Sequence, residues 1–149
     1  IALCLFGQLP WRAVPVMPVE IMLLPEWFPF HMSKVSYWSR TVIAPLLIMM
    51  ALKPQARNPR NVDIQELFVR DPAKIRNFNS NPNGSSIGEV FITLDKVLQK
   101  TAPLWPKGSR RNEALAKAER FILERLNGED GLGGIFPAMA NTVSRYPPF

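Results

Sequence analysis

Gly131-Leu132-Gly133-Gly134 is the glycine-rich run that invites comparison with a phosphate loop. Such a loop follows a strand and leads into Lys-Ser/Thr, whereas a helical pattern precedes this run and no Lys-Ser/Thr follows it. It therefore reads as a tight interhelical turn. His31, the single histidine, has no acid or cysteine at a useful spacing and reads as a packed or hydrogen-bonded side chain. Cys4, the single cysteine, excludes an intrachain disulfide, and no Cys/His pair stands at metal-ligand spacing, which argues against zinc. Asp63, Asp71, Asp95 and Asp130 are too scattered for two of them to share a proton. Lys96, Lys100, Lys107, Arg110, Arg111, Lys117, Arg120 and Arg125 form a basic stretch, interleaved with Asp95, Glu113, Glu119 and Glu124. Nucleic acid would want an uncompensated stripe with aromatic residues between the charges, so no nucleic-acid partner is expected. Two readings stay open for these cations: a solvated helix face with i,i+4 partners, or a basic rim beside an apolar helix face on an anionic membrane surface. Trp11, Trp27 and Trp105 read as core. Trp38 differs, standing early on a helix that otherwise runs into the core.

The elements that must position these groups are helical. Residues 1–6 read as the last turns of a helix, with Gly7 after it and Pro10 beyond. Prolines 10, 15, 18, 25 and 29 forbid a long helix over the apolar stretch that follows, leaving one short turn from Pro18 to Leu24 with Pro18 at its first position. So apolar a segment must lie against something hydrophobic. Ser33 is the expected N-cap of a helix over Lys34 to Leu52. Its second half, Val42 to Leu52, is uncharged but only roughly 16 Å long, which makes it a core helix and not a membrane span. Pro45 should kink it. Residues 54–62 form a basic connector, Asp63 with Glu66 can cap a short turn, and 77–86 is a polar loop. Ile87, Val90, Phe91, Leu94, Val97 and Leu98 then recur at helical spacing over 87–102, ahead of Pro103 and Pro106. A second amphipathic helix is expected with Ser109 as cap, Leu115, Ala118, Ile122 and Leu126 as its stripe and Gly128 as its stop. Pro137 suits the first position of a further helix towards Val143. Period-two alternation is absent, so the fold class is all-α.

Composition agrees with a packed chain. The 149 residues carry 47% hydrophobic and 20% charged side chains, which excludes a disordered tail. Fifteen prolines are about twice the usual share of roughly 5%. The formal charge is +6, and the single cysteine fits a reducing, cytosol-facing compartment. The chain opens on Ile1 and closes on Pro147-Pro148-Phe149, without the basic n-region of a signal peptide, so we expect an internal piece of a longer protein.

Three segments carry a family likeness: Trp11-Arg-Ala-Val-Pro-Val-Met-Pro-Val-Glu-Ile-Met-Leu-Leu-Pro25, Tyr37-Trp38-Ser-Arg-Thr41 and Gly131-Leu-Gly-Gly-Ile-Phe-Pro137. In this order they resemble squalene–hopene cyclases, the triterpene cyclase family. The family's QW repeat joins a basic residue, a small residue, an aromatic–aliphatic pair, Gln and a Gly-x-Trp turn. Lys117-Ala118, Phe121-Ile122 and Gly131 resemble it in degenerate form over 117–134, with Leu126 in place of Gln and Leu132 in place of Trp. Leu–Leu packing is expected to replace the usual Gln and Trp contacts.

The resemblance implies an all-α fragment of the smaller (α/α) barrel of a two-domain terpenoid cyclase toroid. It implies an isomerase or lyase of hopanoid biosynthesis: an acid protonates squalene, rings close through carbocations, and the hopanyl cation loses a proton to give hopene or takes water to give hopanol. Trp38, Ile135, Phe136 and Pro137 would line the substrate cavity, and Ile43 would stand on the channel by which substrate enters. Helix 87–102, through Phe91, Leu94 and Leu98, would touch the membrane. Such enzymes are bacterial, monotopic homodimers on the cytoplasmic face, and they use no metal or organic cofactor. The initiating Asp-x-Asp-Asp motif does not occur in these residues, so no catalytic residue is expected here and the fragment alone should be inactive. A non-catalytic membrane-surface helical module and a helical scaffold for protein partners are the rival readings.

Overall fold

A computed structural model describes residues 1–75, 78, 80, 81, 84–101, 108–128 and 131–144. The chain divides into two compact units, one holding Ile1–Val16 with the described part of 55–105, the other Met17–Pro54 with the described part of 106–147.

The first unit begins with α1 (Ala2–Leu5), which Gly7 terminates at φ +74° as the glycine rule expects. Cys4 is buried, and burial pushes its thiol pKa up, so it remains a neutral, unreactive thiol at physiological pH. Long-range polar contacts then tie this segment to later residues. The amide of Ala56 donates to the Leu5 carbonyl at 2.8 Å, and Gln8 both donates to the Val62 carbonyl and accepts from the Ile64 amide, each at 3.1 Å. The amide of Val16 donates to Asp95 Oδ1 at 2.7 Å across 79 residues of sequence. Asp63 Oδ1 accepts from the Gln65 amide at 2.9 Å and starts the 3₁₀ turn Gln65–Leu67, where a capped turn was expected.

α3 (Ser86–Thr101) begins one residue before the expected 87, because Ser85 Oγ accepts from the Gly88 amide at 3.1 Å and supplies the cap. None of its residues is buried. Of the polar loop, residues 77, 79, 82 and 83 lie outside the described residues, as do Ala102, Pro103, Trp105, Pro106 and Lys107.

In the second unit the proline-ruled segment packs as its composition demands. Val19 and Met22, on the 3₁₀ turn Val19–Leu23, enter the core. Pro18 caps that turn from outside rather than occupying its first position. The next helix starts later than expected. His31, not Ser33, caps a separate 3₁₀ turn Met32–Lys34, with Nδ1 accepting from the Ser33 amide at 3.1 Å, and Ser36 caps α2 (Tyr37–Leu52). α2 ends where Lys53 adopts the left-handed conformation (φ 49°, ψ 53°) ahead of Pro54, which disfavours a further helical residue.

The core forms where α2 meets α4 (Ser109–Leu123) and α5 (Phe136–Ser144), with α4 also lying on the Val19–Leu23 turn. Ala44, Leu47 and Ile48 of α2 cluster with Ala114, Ala118 and Ile122 of α4, and the three alanines allow close backbone approach. Three expectations for α4 fail. Gly108, not Ser109, occupies the N-cap; the helix stops at Leu123 with Glu124 as its C-cap, not at Gly128; and Leu126 leaves the helix. It enters β1 (Leu126–Asn127), which pairs antiparallel with β2 (Gly131–Leu132), so the glycine-rich run begins as a strand and not as the expected interhelical turn. Leu126 and Leu132, the two replaced positions of the degenerate repeat, are register partners, and Leu132 is fully buried. Every other regular element among the described residues is helical, in keeping with an all-α class.

Arg111 departs from the simple solvated face. Its Nη2 donates to the Ala51 carbonyl at 2.8 Å, satisfying one of the last carbonyls of α2, and its Nη1 lies 3.7 Å from Glu20 Oε1. One side chain thus joins three elements. Arg111→Met keeps the apolar stem and removes these contacts; it should cost about 1–2 kcal/mol, since the ion pair is partly solvated and the charged hydrogen bond carries most of the effect. Denaturant unfolding tests this, and a midpoint unchanged from the parent would show the latch to be idle.

Candidate functional site

The cavity residues expected from the sequence all fall in the second unit, on α2 and at the start of α5. Trp38 is the second residue of α2, in the turn where the Ser39 amide donates to Ser36 Oγ at 3.3 Å. It is 55% exposed and meets Tyr37 edge to face, with ring centroids 5.7 Å apart. Arg40 stands 6.0 Å from the Tyr37 ring centroid. Ile43 lies one turn further on and is half-buried against the core. Ile135 is also half-buried there, and its carbonyl accepts from the Met139 amide at 3.2 Å as α5 begins. Phe136, 77% exposed, opens α5; Pro137 is its second residue, not its first, and is also exposed.

α5 packs along α2, so the Trp38 turn and the Ile135-Phe136-Pro137 turn belong to one packed pair of helices. Thr41, fully buried, lies where they meet: its Oγ1 donates to the Trp38 carbonyl at 2.7 Å. A Cβ placed on Gly133 would stand 3.2 Å from that same oxygen. The exposed rings of Trp38 and Phe136 offer polarisable aromatic faces of the kind that attract cations. Among the described residues, no three His, Cys, Asp or Glu side chains converge where they could hold a metal ion.

The membrane-contact candidates fall in the first unit. Phe91 and Leu94 of α3 are 57% and 48% exposed, Ile87, Val90 and Val97 are also exposed, and Leu98 is half-buried. Beside them a cavity of about 470 Å³ is lined by Pro15, Val16, Phe91, Leu94 and Leu98, with Asp95 at its wall. Asp95 has both oxygens engaged, by the Val16 amide and by Gln99 Nε2 at 2.9 Å. No helix among the described residues is long and apolar enough to cross a membrane.

Sequence reasoning missed Thr41, Ser85 and this cavity. Thr41 carried a signal, as it stands four residues before Pro45, whose missing N–H marks a special point in the helix. Trp27 corrects an expectation: it is 75% exposed, held on a proline-bounded turn against Phe28 at 5.8 Å rather than in the core.

Comparison with known proteins agrees with the resemblance. Residues 1–147 match the family described as the squalene-hopene cyclase N-terminal domain. The chain is 51% identical over 146 residues to the squalene–hopene cyclase of Zymomonas mobilis, across 98% of this chain and 22% of that protein. It is 51% identical over 145 residues to that of Bradyrhizobium diazoefficiens, across 97% and 22%. With the squalene–hopene cyclase of Alicyclobacillus acidocaldarius it shares 32% over 136 residues, across 91% and 21%. The chain spans about a fifth of the length of these curated relatives. A match this continuous means that the chain belongs to the squalene–hopene cyclase N-terminal domain family.

Proposed function

We propose that this chain is part of a squalene–hopene cyclase, in which it forms a section of the wall around a cyclising hydrocarbon. The observation that carries the reading is identity of about one half to squalene–hopene cyclases over nearly the whole chain. In the whole enzyme an acid outside these residues protonates squalene, and successive carbocations close the rings to hopene or hopanol. Trp38 and Phe136 present aromatic faces to the cations, while Ile135 and Pro137 shape the space in which rings form. Ile43 borders the channel by which squalene arrives. The outward apolar stripe of α3 rests in the lipid of the cytoplasmic leaflet, so the enzyme is monotopic and receives its substrate from the bilayer. The working form is a homodimer, and the reaction needs no metal or organic cofactor.

Trp38 supplies the test. A desolvated cation over an indole face is stabilised by about 2 kcal/mol, so Trp38→Ala in the full-length enzyme should slow squalene turnover roughly 30-fold. Prematurely terminated products should accompany the loss, and Trp38→Phe should keep more of both rate and outcome. Unchanged turnover and products in the alanine variant would overturn the cavity assignment.

A second reading, a membrane-surface module without catalysis, is favoured by α3 alone, since none of its residues is buried. Vesicle binding by a full-length protein that never consumes squalene would decide for it.

A further inference from the structure

Two features weaken the regular hydrogen bonding of α2 at one place. Pro45 has no N–H to offer the Thr41 carbonyl, and the Thr41 hydroxyl bonds back to the Trp38 carbonyl within the same turn. The turn bearing Trp38 is therefore joined less firmly to the buried half of α2 than an unbroken ladder would join it. Something else must fix its direction, and Thr41 is placed to do so. Its side chain is fully buried, bonded through Oγ1 to the Trp38 carbonyl and seated against Gly133. Gly133 stands at φ +67°, and any Cβ there would come within 3.2 Å of Thr41 Oγ1 and 3.6 Å of its methyl group. Two residues later the chain reaches Ile135, Phe136 and Pro137.

We infer that Thr41 and Gly133 are a pair of positioning residues that set the Trp38 turn of α2 against the Ile135–Pro137 turn, and thereby set where ring closure stops. The inference rests on the cyclase reading given above. Neither residue touches substrate; Thr41 acts through Trp38, and Gly133 acts by leaving room for Thr41.

The readout is the share of incompletely cyclised products formed from squalene by the full-length enzyme. This share is a ratio per turnover, so a loss of folded protein lowers yield without moving it. Thr41→Val keeps the shape and removes the hydroxyl; Gly133→Ala keeps the hydroxyl and fills its space. Each should raise the share roughly tenfold, below the ~100-fold that a displacement of about 1 Å near the chemistry can cost. Thr41→Ser, which retains the hydroxyl, should return the share close to that of the unsubstituted enzyme. If Trp38→Ala shifts the products but Thr41→Val and Gly133→Ala do not, the positioning pair is overturned and the cavity assignment stands. A share unchanged in all three variants overturns the cavity assignment as well.

Discussion

Replacing Phe91 and Leu94 with serine should release the full-length protein from anionic lipid vesicles while leaving its unfolding temperature where it was. Both side chains are already about half exposed on α3, so moving them into lipid buries the remainder of each. Full burial of such a side chain is favourable by about 1.5–3 kcal/mol, and the uncovered half of two of them amounts to about 1.5–3 kcal/mol. The vesicle partition coefficient should accordingly fall roughly 10- to 150-fold. Lys96 and Lys100 on the same helix would each add roughly 1 kcal/mol near an anionic leaflet, so binding should also weaken with salt. The rival arrangement has a different signature. If another part of the full protein covers this stripe, the double substitution unfolds the protein by several kcal/mol, and the membrane contact must then be sought elsewhere.

The second large effect lies in the core. Leu47 is fully buried on α2, in the cluster that includes Ala114, Ala118 and Ile122 of α4. Those alanines bring the two backbones close, so the void left by Leu47→Ala has little freedom to collapse. The expected loss is about 2–5 kcal/mol, read by denaturant unfolding. Phe136→Ala is the matched control, because the larger side chain at 77% exposure contributes little to folding and should stay within about 0.5 kcal/mol of the parent. A Leu47→Ala cost below that of Phe136→Ala would mean that the stabilising core is not where α2 meets α4.

Residues 87–101 were readable as a helix because six apolar side chains repeat at one period and the polar loop before them has no competing pattern. The α2 boundary was misplaced because Ser33 and Ser36 are equally good caps on paper. The choice fell to His31, whose ring nitrogen accepts from the Ser33 amide and closes a separate turn first. Leu126 misled for a related reason. Its spacing fits the α4 stripe, but the helix stops at Leu123 and Leu126 instead pairs with Leu132, a strand contact that local helical spacing does not anticipate. At the candidate site, the family likeness reached Trp38 and Ile135–Pro137 through their motifs. Thr41 closes one of those motifs, but its role depends on which backbone comes to lie against it. Arg111 is similar, since a lone arginine in a basic stretch gives no hint that it reaches the end of another helix.

The bond from the Val16 amide to Asp95 joins residues 79 positions apart. Ribosomes add about 5–20 residues per second, so Val16 waits roughly 4–16 s for its acceptor to be made. During that interval Val16 has emerged without the acceptor that will fix it. Five prolines between residues 10 and 29 keep this stretch from hiding its apolar groups in a provisional helix. The nascent chain is thus open to sticking until α3 supplies Asp95 and, later still, α4 covers Val19 and Met22.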